Sequence, residues 1–180
     1  MADSVYHGRF KAVRNGTKTN RITLKGSKKA ILTNPGSDGF VFYNMSYWIL
    51  EGFSVFNVSR AIVLDFSSNI LLNKLNLSYS DEAAVKFRNN STDNTIQNSR
   101  ISYTGRKAPQ NGEAVYIGAA FIHWIHNFTG PDRSNRNKVT NNFFGPNITA
   151  ESVDIKEGVD NIIVANNTIN GFGKIISYKF

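Results

Sequence analysis

One late segment of the chain, residues 151–157, alternates charged side chains with apolar ones. Val153 and Ile155 fall on one side, and Asp154 and Lys156 fall on the other, as in a β-strand that buries one face. Glu151 precedes Val153 by two residues and adds a second acid. Acids flanking one lysine could bind a cation, move a proton or form surface ion pairs.

An earlier segment repeats this arrangement, because Glu113 also lies two residues before an apolar strand residue, Val115. If the two segments pair in parallel, Glu113 and Glu151 become neighbours on adjacent strands. The outward side chains would then form one polar patch. Its members are Arg88, Glu113, Tyr116, Glu151, Asp154 and Lys156, with Lys86 in the same outward column as Tyr116 and Asp154.

Carboxylates on adjacent strands repel each other unless a cation or a shared proton lies between them. Calcium is the candidate cation, because it prefers oxygen ligands, and Glu113 and Glu151 are its candidate ligands. The alternative is an exposed ladder of salt bridges without chemistry. Lys156 should point outward even if the patch is functional, so its loss should leave no cavity and change the stability by about 0.5 kcal/mol at most.

Two histidines, His123 and His126, lie three residues apart beside Trp124. No further zinc-ligand motif accompanies them, so packing in a loop is the preferred interpretation over a zinc site.

A repeated strand pattern positions these residues. From Phe40 onward, one apolar segment recurs, and a second, bordered by asparagine, follows each copy. The first type covers residues 40–42, 61–65, 84–88, 114–118, 152–156 and 175–178. The second covers residues 47–50, 69–73, 94–98, 137–141 and 161–164. Strand-like fragments at 9–13, 21–24 and 30–32 precede them. Short β segments that recur roughly every 21–25 residues predict a solenoid.

We therefore predict an all-β fold, a single-stranded right-handed parallel β-helix with turns of roughly 21–25 residues, forming one domain over residues 1–180. Two inward columns should stack in its core. They are Ile62, Val85, Val115 and Val153, and Leu64, Phe87, Ile117 and Ile155. Asn73, Asn98, Asn141 and Asn166 should form a corner ladder. A β-sandwich, the competing fold, would instead need hairpin turns at much shorter intervals.

Insertions at residues 105–112 and 119–136 interrupt the period on either side of the strand 114–118. Long loops on a regular scaffold are usually functional or disordered, and the aromatic content of the second insertion argues against disorder. The insertions should therefore flank the polar patch.

Three segments, 112–118 (GEAVYIG), 149–156 (TAESVDIK) and 166–169 (NNTI), resemble the pectin-lyase-like right-handed parallel β-helix superfamily. More narrowly, they are similar to polysaccharide lyase family 6, which contains chondroitinase B and alginate lyases. The resemblance implies that Lys156 is a Brønsted base that removes the proton α to a uronate carboxyl group. It also implies that Glu151 binds calcium, which neutralises that carboxylate.

The chain departs from this pattern in two places. Thr149 stands where a second acid is expected. The catalytic arginine expected one turn after Lys156 is missing, and Arg88 lies two turns earlier instead. On this basis the candidate catalytic residues are Lys156, Arg88 and Tyr116. The candidate substrate-binding residues are Glu113, Asp154, Lys86, His123 and Trp124, and the candidate metal ligands are Glu151 and Glu113.

Composition limits the partners. The net charge is +8, which favours an anionic partner: nucleic acid, acidic polysaccharide or anionic membrane. Nucleic acid is not expected, because the basic residues do not interleave with aromatic ones along one element. No apolar run could span a bilayer, and the absence of cysteine excludes disulfides and thiolate metal sites.

Three functions remain open. The first is a secreted lyase that cleaves an acidic, uronate-containing polysaccharide. The second is a non-catalytic glycan-binding or cell-surface protein. The third is a glycoside hydrolase of the polygalacturonase type, which needs clustered aspartates, whereas Asp65, Asp81 and Asp154 are scattered. Nine Asn-x-Ser/Thr motifs would allow secretion and glycosylation.

The two ends of the sequence look uncapped. The chain opens like the middle of a strand, with no visible signal peptide, so an upstream segment is expected to be missing. Phe10 near one end and Ile175, Ile176 and Phe180 at the other would expose apolar core. We therefore expect either self-association through an end or a longer parent protein.

Overall fold

Three parallel β-sheets form the wall of a solenoid in the computed structural model, which describes residues 1–124, 130–171 and 175–178. The first sheet contains β1 (Val5–His7), β4 (Ile31–Asn34), β7 (Ser54–Val58), β10 (Asn76–Ser80), β13 (Arg100–Ser102), β16 (Phe143–Phe144) and β19 (Thr168–Ile169). The second contains β2 (Phe10–Lys11), β5 (Phe40–Tyr43), β8 (Ile62–Asp65), β11 (Val85–Arg88), β14 (Val115–Ile117), β17 (Val153–Ile155) and β20 (Ile176–Tyr178). The third contains β3 (Ile22–Lys25), β6 (Trp48–Glu51), β9 (Leu71–Asn73), β12 (Thr95–Gln97), β15 (Lys138–Thr140) and β18 (Ile163–Ala165).

The all-β, parallel β-helix prediction is confirmed, because the strands of each sheet come from successive turns and pair in parallel. The repeat is 24 residues where Ser67 meets Ser91, and it lengthens to 43 where Ser91 meets Ser134, because residues of both insertions lie between them. Short 3-10 segments at Pro109–Asn111 and Phe121–His123 lie within the two insertions.

Both predicted core columns are present. Ile62 pairs with Val85, Val85 with Val115, and Val115 with Val153, and all four side chains are buried. The neighbouring column of Leu64, Phe87, Ile117 and Ile155 has the same register and is also buried. The alternation of apolar and polar residues therefore specified which side chains face the core. A shift of the strand register by one residue would turn all of these apolar side chains outward.

Replacement of Val115 with aspartate should destabilise the protein by about 4 kcal/mol or more, because a charge would enter this dry column. The matched substitution Ile163→Asp changes an exposed strand residue, which is 47% accessible, and should cost about 0.5 kcal/mol or less. Urea unfolding of the two variants measures the difference. Equal costs would contradict the assigned register.

The sequence pattern revealed two strands per turn, whereas most turns have three. The strands of the first sheet were missed because they follow those of the third after a corner of two residues, as Ser54–Val58 follows Trp48–Glu51. Gly52 turns this corner with φ 88°, where any side chain would be strained. The residues before Phe40 also belong to the solenoid, since β1 and β2 pair with β4 and β5.

The corner ladder is offset by one residue from the prediction. Asn98, Asn141 and Asn166 have left-handed backbone as expected, but Asn73 lies at the end of β9, where it accepts a hydrogen bond from Asn98 (3.0 Å). The buried ladder is one position further on. The backbone N–H groups of Leu75, Ser99 and Asn142 donate to the side-chain oxygens of Ser99, Asn142 and Asn167, respectively. These bonds satisfy buried backbone groups, which gives the asparagines a structural role.

At the two ends, Phe10 is half-buried, whereas Ile175 and Ile176 are exposed. Phe180 lies outside the described residues. Self-association through an end therefore stays a prediction. Among the described residues, no helix is long and apolar enough to cross a membrane.

Candidate functional site

The predicted polar patch lies on the outer face of the second sheet. Lys86 pairs with Tyr116, and Tyr116 pairs with Asp154, so the predicted outward column is confirmed. The register of Val115 with Val153 places Glu113 beside Glu151. One carboxylate oxygen from each of Glu113, Glu151 and Asp154 lies within 4.8 Å of the other two.

The expectation of an exposed salt-bridge ladder is wrong, because most of these charged groups are buried and Glu151 is half-buried. Glu113 is 4% exposed, Asp154 is 2% exposed and Lys156 is 7% exposed. Lys156 Nζ forms an ion pair with Asp154 Oδ2. The expectation of an outward, exposed Lys156 is therefore also wrong. The expected cost of about 0.5 kcal/mol for its loss is too low, because the loss would leave a buried carboxylate without its counter-ion.

Two carboxylate oxygens of this cluster, Glu113 Oε2 and Asp154 Oδ1, are buried without a hydrogen-bond partner among the described residues. Burial raises the pKa of Glu113, and the nearby charge of Asp154 adds to the shift, although Lys86 and Lys156 oppose it. Orphaned buried oxygens are costly, and either a proton on Glu113 or a bound cation would lower this cost.

A hard divalent cation fits this donor set. Three carboxylates converge, two of their oxygens have no hydrogen-bond partner in the part of the chain that the structure describes, and calcium takes oxygen ligands from carboxylates. Glu113 and Glu151 were predicted as ligands. Asp154, which was predicted to bind substrate, joins these two ligands because its pairing with Tyr116 places it on the same outer face of the sheet.

A cleft of about 440 Å³ opens next to the cluster. It is lined by Phe66, Lys86, Arg88, Asn89, Tyr116, Gly118, Ala119 and His123. Tyr116 links the cleft to the cluster, because its ring lies 5.1 Å from Lys86 Nζ and 4.9 Å from Lys156 Nζ. Burial raises the pKa of Tyr116 and lowers the pKa of Lys86. The phenol is therefore a proton donor flanked by two amines.

The other predicted residues are distributed around this cleft. Arg88 lines it, but its guanidinium is held by Asp65 through two hydrogen bonds of 2.7 and 3.2 Å. His123 lines the cleft and is exposed. Trp124 Nε1 donates to Ala119 O (2.8 Å), so this indole supports the loop. Lys156 itself is not part of the cleft lining and lies beside Tyr116, within the buried cluster. His126 lies outside the described residues.

Sequence reasoning missed Asp132, which fastens the second insertion to the cleft wall. Its buried carboxylate accepts hydrogen bonds from the backbone N–H groups of Asn89 (2.7 Å) and Asn90 (2.9 Å), next to Arg88. The Asp-x-Ser pattern with Ser134 marks a local turn, but a local pattern does not reveal partners from a distant turn.

Gly118 is the second missed residue. It has φ 90°, and a Cβ atom there would lie 2.5 Å from Val159 and 3.2 Å from Lys156 Cβ. Glycine therefore lets the Lys156 turn approach the floor of the cleft.

The fold and this site define a parallel β-helix protein with a charged cluster and a cleft on one outer face. Its structure closely matches that of an alginate lyase from Paenibacillus sp. str. FPU-7, with a TM-score of 0.89 and 31% identity. The match covers 96% of this chain and 59% of the lyase, so the chain spans 59% of the length of that protein.

A candidate glycosyl hydrolase from Parabacteroides merdae is also similar, with a TM-score of 0.59 and 11% identity, over 93% of this chain and 81% of that one. This second match supports the fold alone. No protein-family model matches the chain, and neither does any curated protein.

Proposed function

We propose that the protein is a secreted polysaccharide lyase that cleaves a uronate-containing polymer by β-elimination. The observation that carries this proposal is the similarity to an alginate lyase over 96% of the chain. The grouping of Lys156 and three carboxylates beside Tyr116, which lines the cleft, is consistent with it, because elimination needs a base, an acid and charge neutralisation.

In the proposed reaction, Lys156 removes the proton from C5 of the uronate, next to its carboxyl group. The electron pair of this C–H bond forms the C4=C5 double bond as the C4–O4 bond breaks. The hydroxyl group of Tyr116 donates a proton to the departing O4 oxygen. Exchange with solvent then returns a proton to the phenolate and removes one from Lys156.

The environment of these two groups suits the assignment. The pKa of Tyr116 is raised by burial, so the phenol keeps its proton until a developing alkoxide can take it. Lys156 must release its proton first, and its pair with Asp154 opposes this. Glu113, Glu151 and Asp154 would hold a calcium ion, which when bound would offset the charge on the substrate carboxylate.

Arg88 and Lys86 are assigned to substrate binding at the cleft wall. Each already has a carboxylate partner, Asp65 for Arg88 and Glu82 for Lys86 (3.3 Å). The cations are therefore held in fixed positions, which reduces the entropy lost when they bind an anionic sugar.

One observation favours a second candidate, a glycan-binding protein without activity. Lys156 is paired with Asp154 and does not line the cleft, so the base is not free as it stands. The hydrolase alternative is not supported, because its aspartates have separate roles: Asp65 pairs with Arg88, and Asp81 pairs with Arg106 and Lys107.

Incubation with a panel of uronate polymers, with and without a calcium chelator, separates these candidates. The lyase proposal expects new ultraviolet absorbance from the unsaturated product. Polymer binding in affinity electrophoresis without any product would support the binding protein instead. Absence of both binding and product on every polymer would refute both. Secretion and glycosylation stay predictions, which fractionation of the native source would test.

A further inference from the structure

A second hollow continues the cleft along the outer face of the second sheet, toward the N-terminal turns. It has a volume of about 380 Å³ and is lined by Arg9, Lys11, Ala12, Val41, Tyr43 and Asp65. Asp65 connects the two hollows, since it lines this one and holds Arg88 in the other. Phe66 of the cleft likewise contacts Tyr43, with ring centroids 5.6 Å apart.

The cations of this hollow exceed the anions that partner them. Asp38 forms ion pairs with both Arg60 (2.7 Å) and Arg9 (3.5 Å), and the side chain of Arg9 remains 44% exposed. Lys11 is exposed and makes no ion pair with any residue in the described part of the chain. The C-terminal end of the same face has the opposite excess, because Glu113, Glu151 and Asp154 surround Lys156.

Two aromatic side chains in this region are unusually accessible. Tyr43 is 63% exposed and Phe66 is 40% exposed, and their rings are nearly perpendicular, at 78°. Both rings are exposed to solvent, and exposed aromatic rings can pack against the C–H surface of a sugar ring. Exposed aromatic groups beside surplus cations thus match a sugar that carries a carboxylate.

We propose that Arg9, Lys11, Tyr43 and Phe66 form a separate subsite that binds a distant uronate of the same polymer chain. Lys11 lies in the same outward column as Tyr116, four strands away, which is about 19 Å at the usual strand spacing. A polymer running along the solenoid axis can reach both sites, whereas a short oligosaccharide bound at Tyr116 cannot. This inference depends on the proposed action on uronate polymers, and it adds a preference for long chains.

The test compares a uronate trisaccharide with a hexasaccharide and with the full polymer. In the double variant Lys11→Ala/Tyr43→Ala, the ratio of kcat/KM for the hexasaccharide to that for the trisaccharide should fall by about tenfold. The loss should appear in KM and should shrink at high salt, because it removes an exposed cation. Lys138→Ala, an exposed lysine of the third sheet, is the matched control and should leave the ratio unchanged.

The experiment distinguishes a failure of the subsite proposal from a failure of the lyase proposal. If the unmodified protein cleaves uronate polymers but the double variant keeps the same chain-length ratio, the subsite is refuted and the lyase proposal stands. If the variant weakens both oligosaccharides equally, the residues act on the cleft itself, and the subsite is again refuted. If the unmodified protein neither cleaves nor binds any uronate polymer, both proposals fall. Matching unfolding curves confirm that the variants are folded.

Discussion

The Lys156→Ala variant is expected to lose both turnover and stability. Turnover disappears because the proposed base is gone, a loss of at least about a hundredfold for a general base. Stability falls by about 3 kcal/mol, because Asp154 keeps its buried charge without the ion pair. Urea unfolding and the absorbance of the unsaturated product measure the two effects. A variant as stable as the parent would contradict the buried pair.

Tyr116→Phe separates chemistry from folding, since this change removes only the hydroxyl group. The ring keeps its contacts with Lys86 and Lys156, and among the described residues only the hydrogen bond from the Ala120 backbone N–H is lost, so the free energy of unfolding should fall by about 1 kcal/mol at most. Turnover should fall by about a hundredfold or more, because the leaving oxygen loses its proton donor. Tyr79→Phe, in the aromatic stack of the first sheet, is the control and should remain fully active. Full activity of Tyr116→Phe would exclude the phenol as the acid.

Calcium should stabilise the protein, and the effect should depend on the carboxylate cluster. At a concentration one hundred times the Kd, a ligand that binds only the folded state adds about 2.7 kcal/mol. Glu113→Gln and Glu151→Gln should each lose most of this gain, because each removes one charged ligand. The same substitution at Glu51, which pairs with Lys25 on the third sheet, should keep it. The melting temperature with calcium and with a chelator provides a measure that does not depend on activity.

A different set of results is expected if the carboxylate cluster holds a proton and no metal. If calcium leaves the melting temperature unchanged and Glu113→Gln stabilises the chelated protein, the cluster is held by a proton and not by a metal. Glutamine resembles the neutral acid, and the raised pKa of Glu113 reflects the cost of burying its charge. Metal dependence would then be excluded from the mechanism.

The sequence by itself determined the scaffold. Alternation of apolar and polar residues specified the inward columns, and the recurring interval specified which residues stack. These are local and periodic properties, so the pairing of Val115 with Val153, and hence of Glu113 with Glu151, could be read without a structure. The strands of the first sheet escaped detection because a two-residue corner such as the one at Gly52 leaves no gap in the strand pattern.

Only the tertiary structure decided the electrostatics of the site. Alternation places Asp154 and Lys156 on the outer side of a strand, but it does not reveal whether another segment covers that side. Their burial, the raised pKa of Glu113 and the position of Tyr116 between two lysines arise from segments far apart in sequence. The fixing of the second insertion by Asp132 is of the same kind. Burial and charge pairing depend on every group nearby in space, and a sequence pattern records only neighbours along the chain.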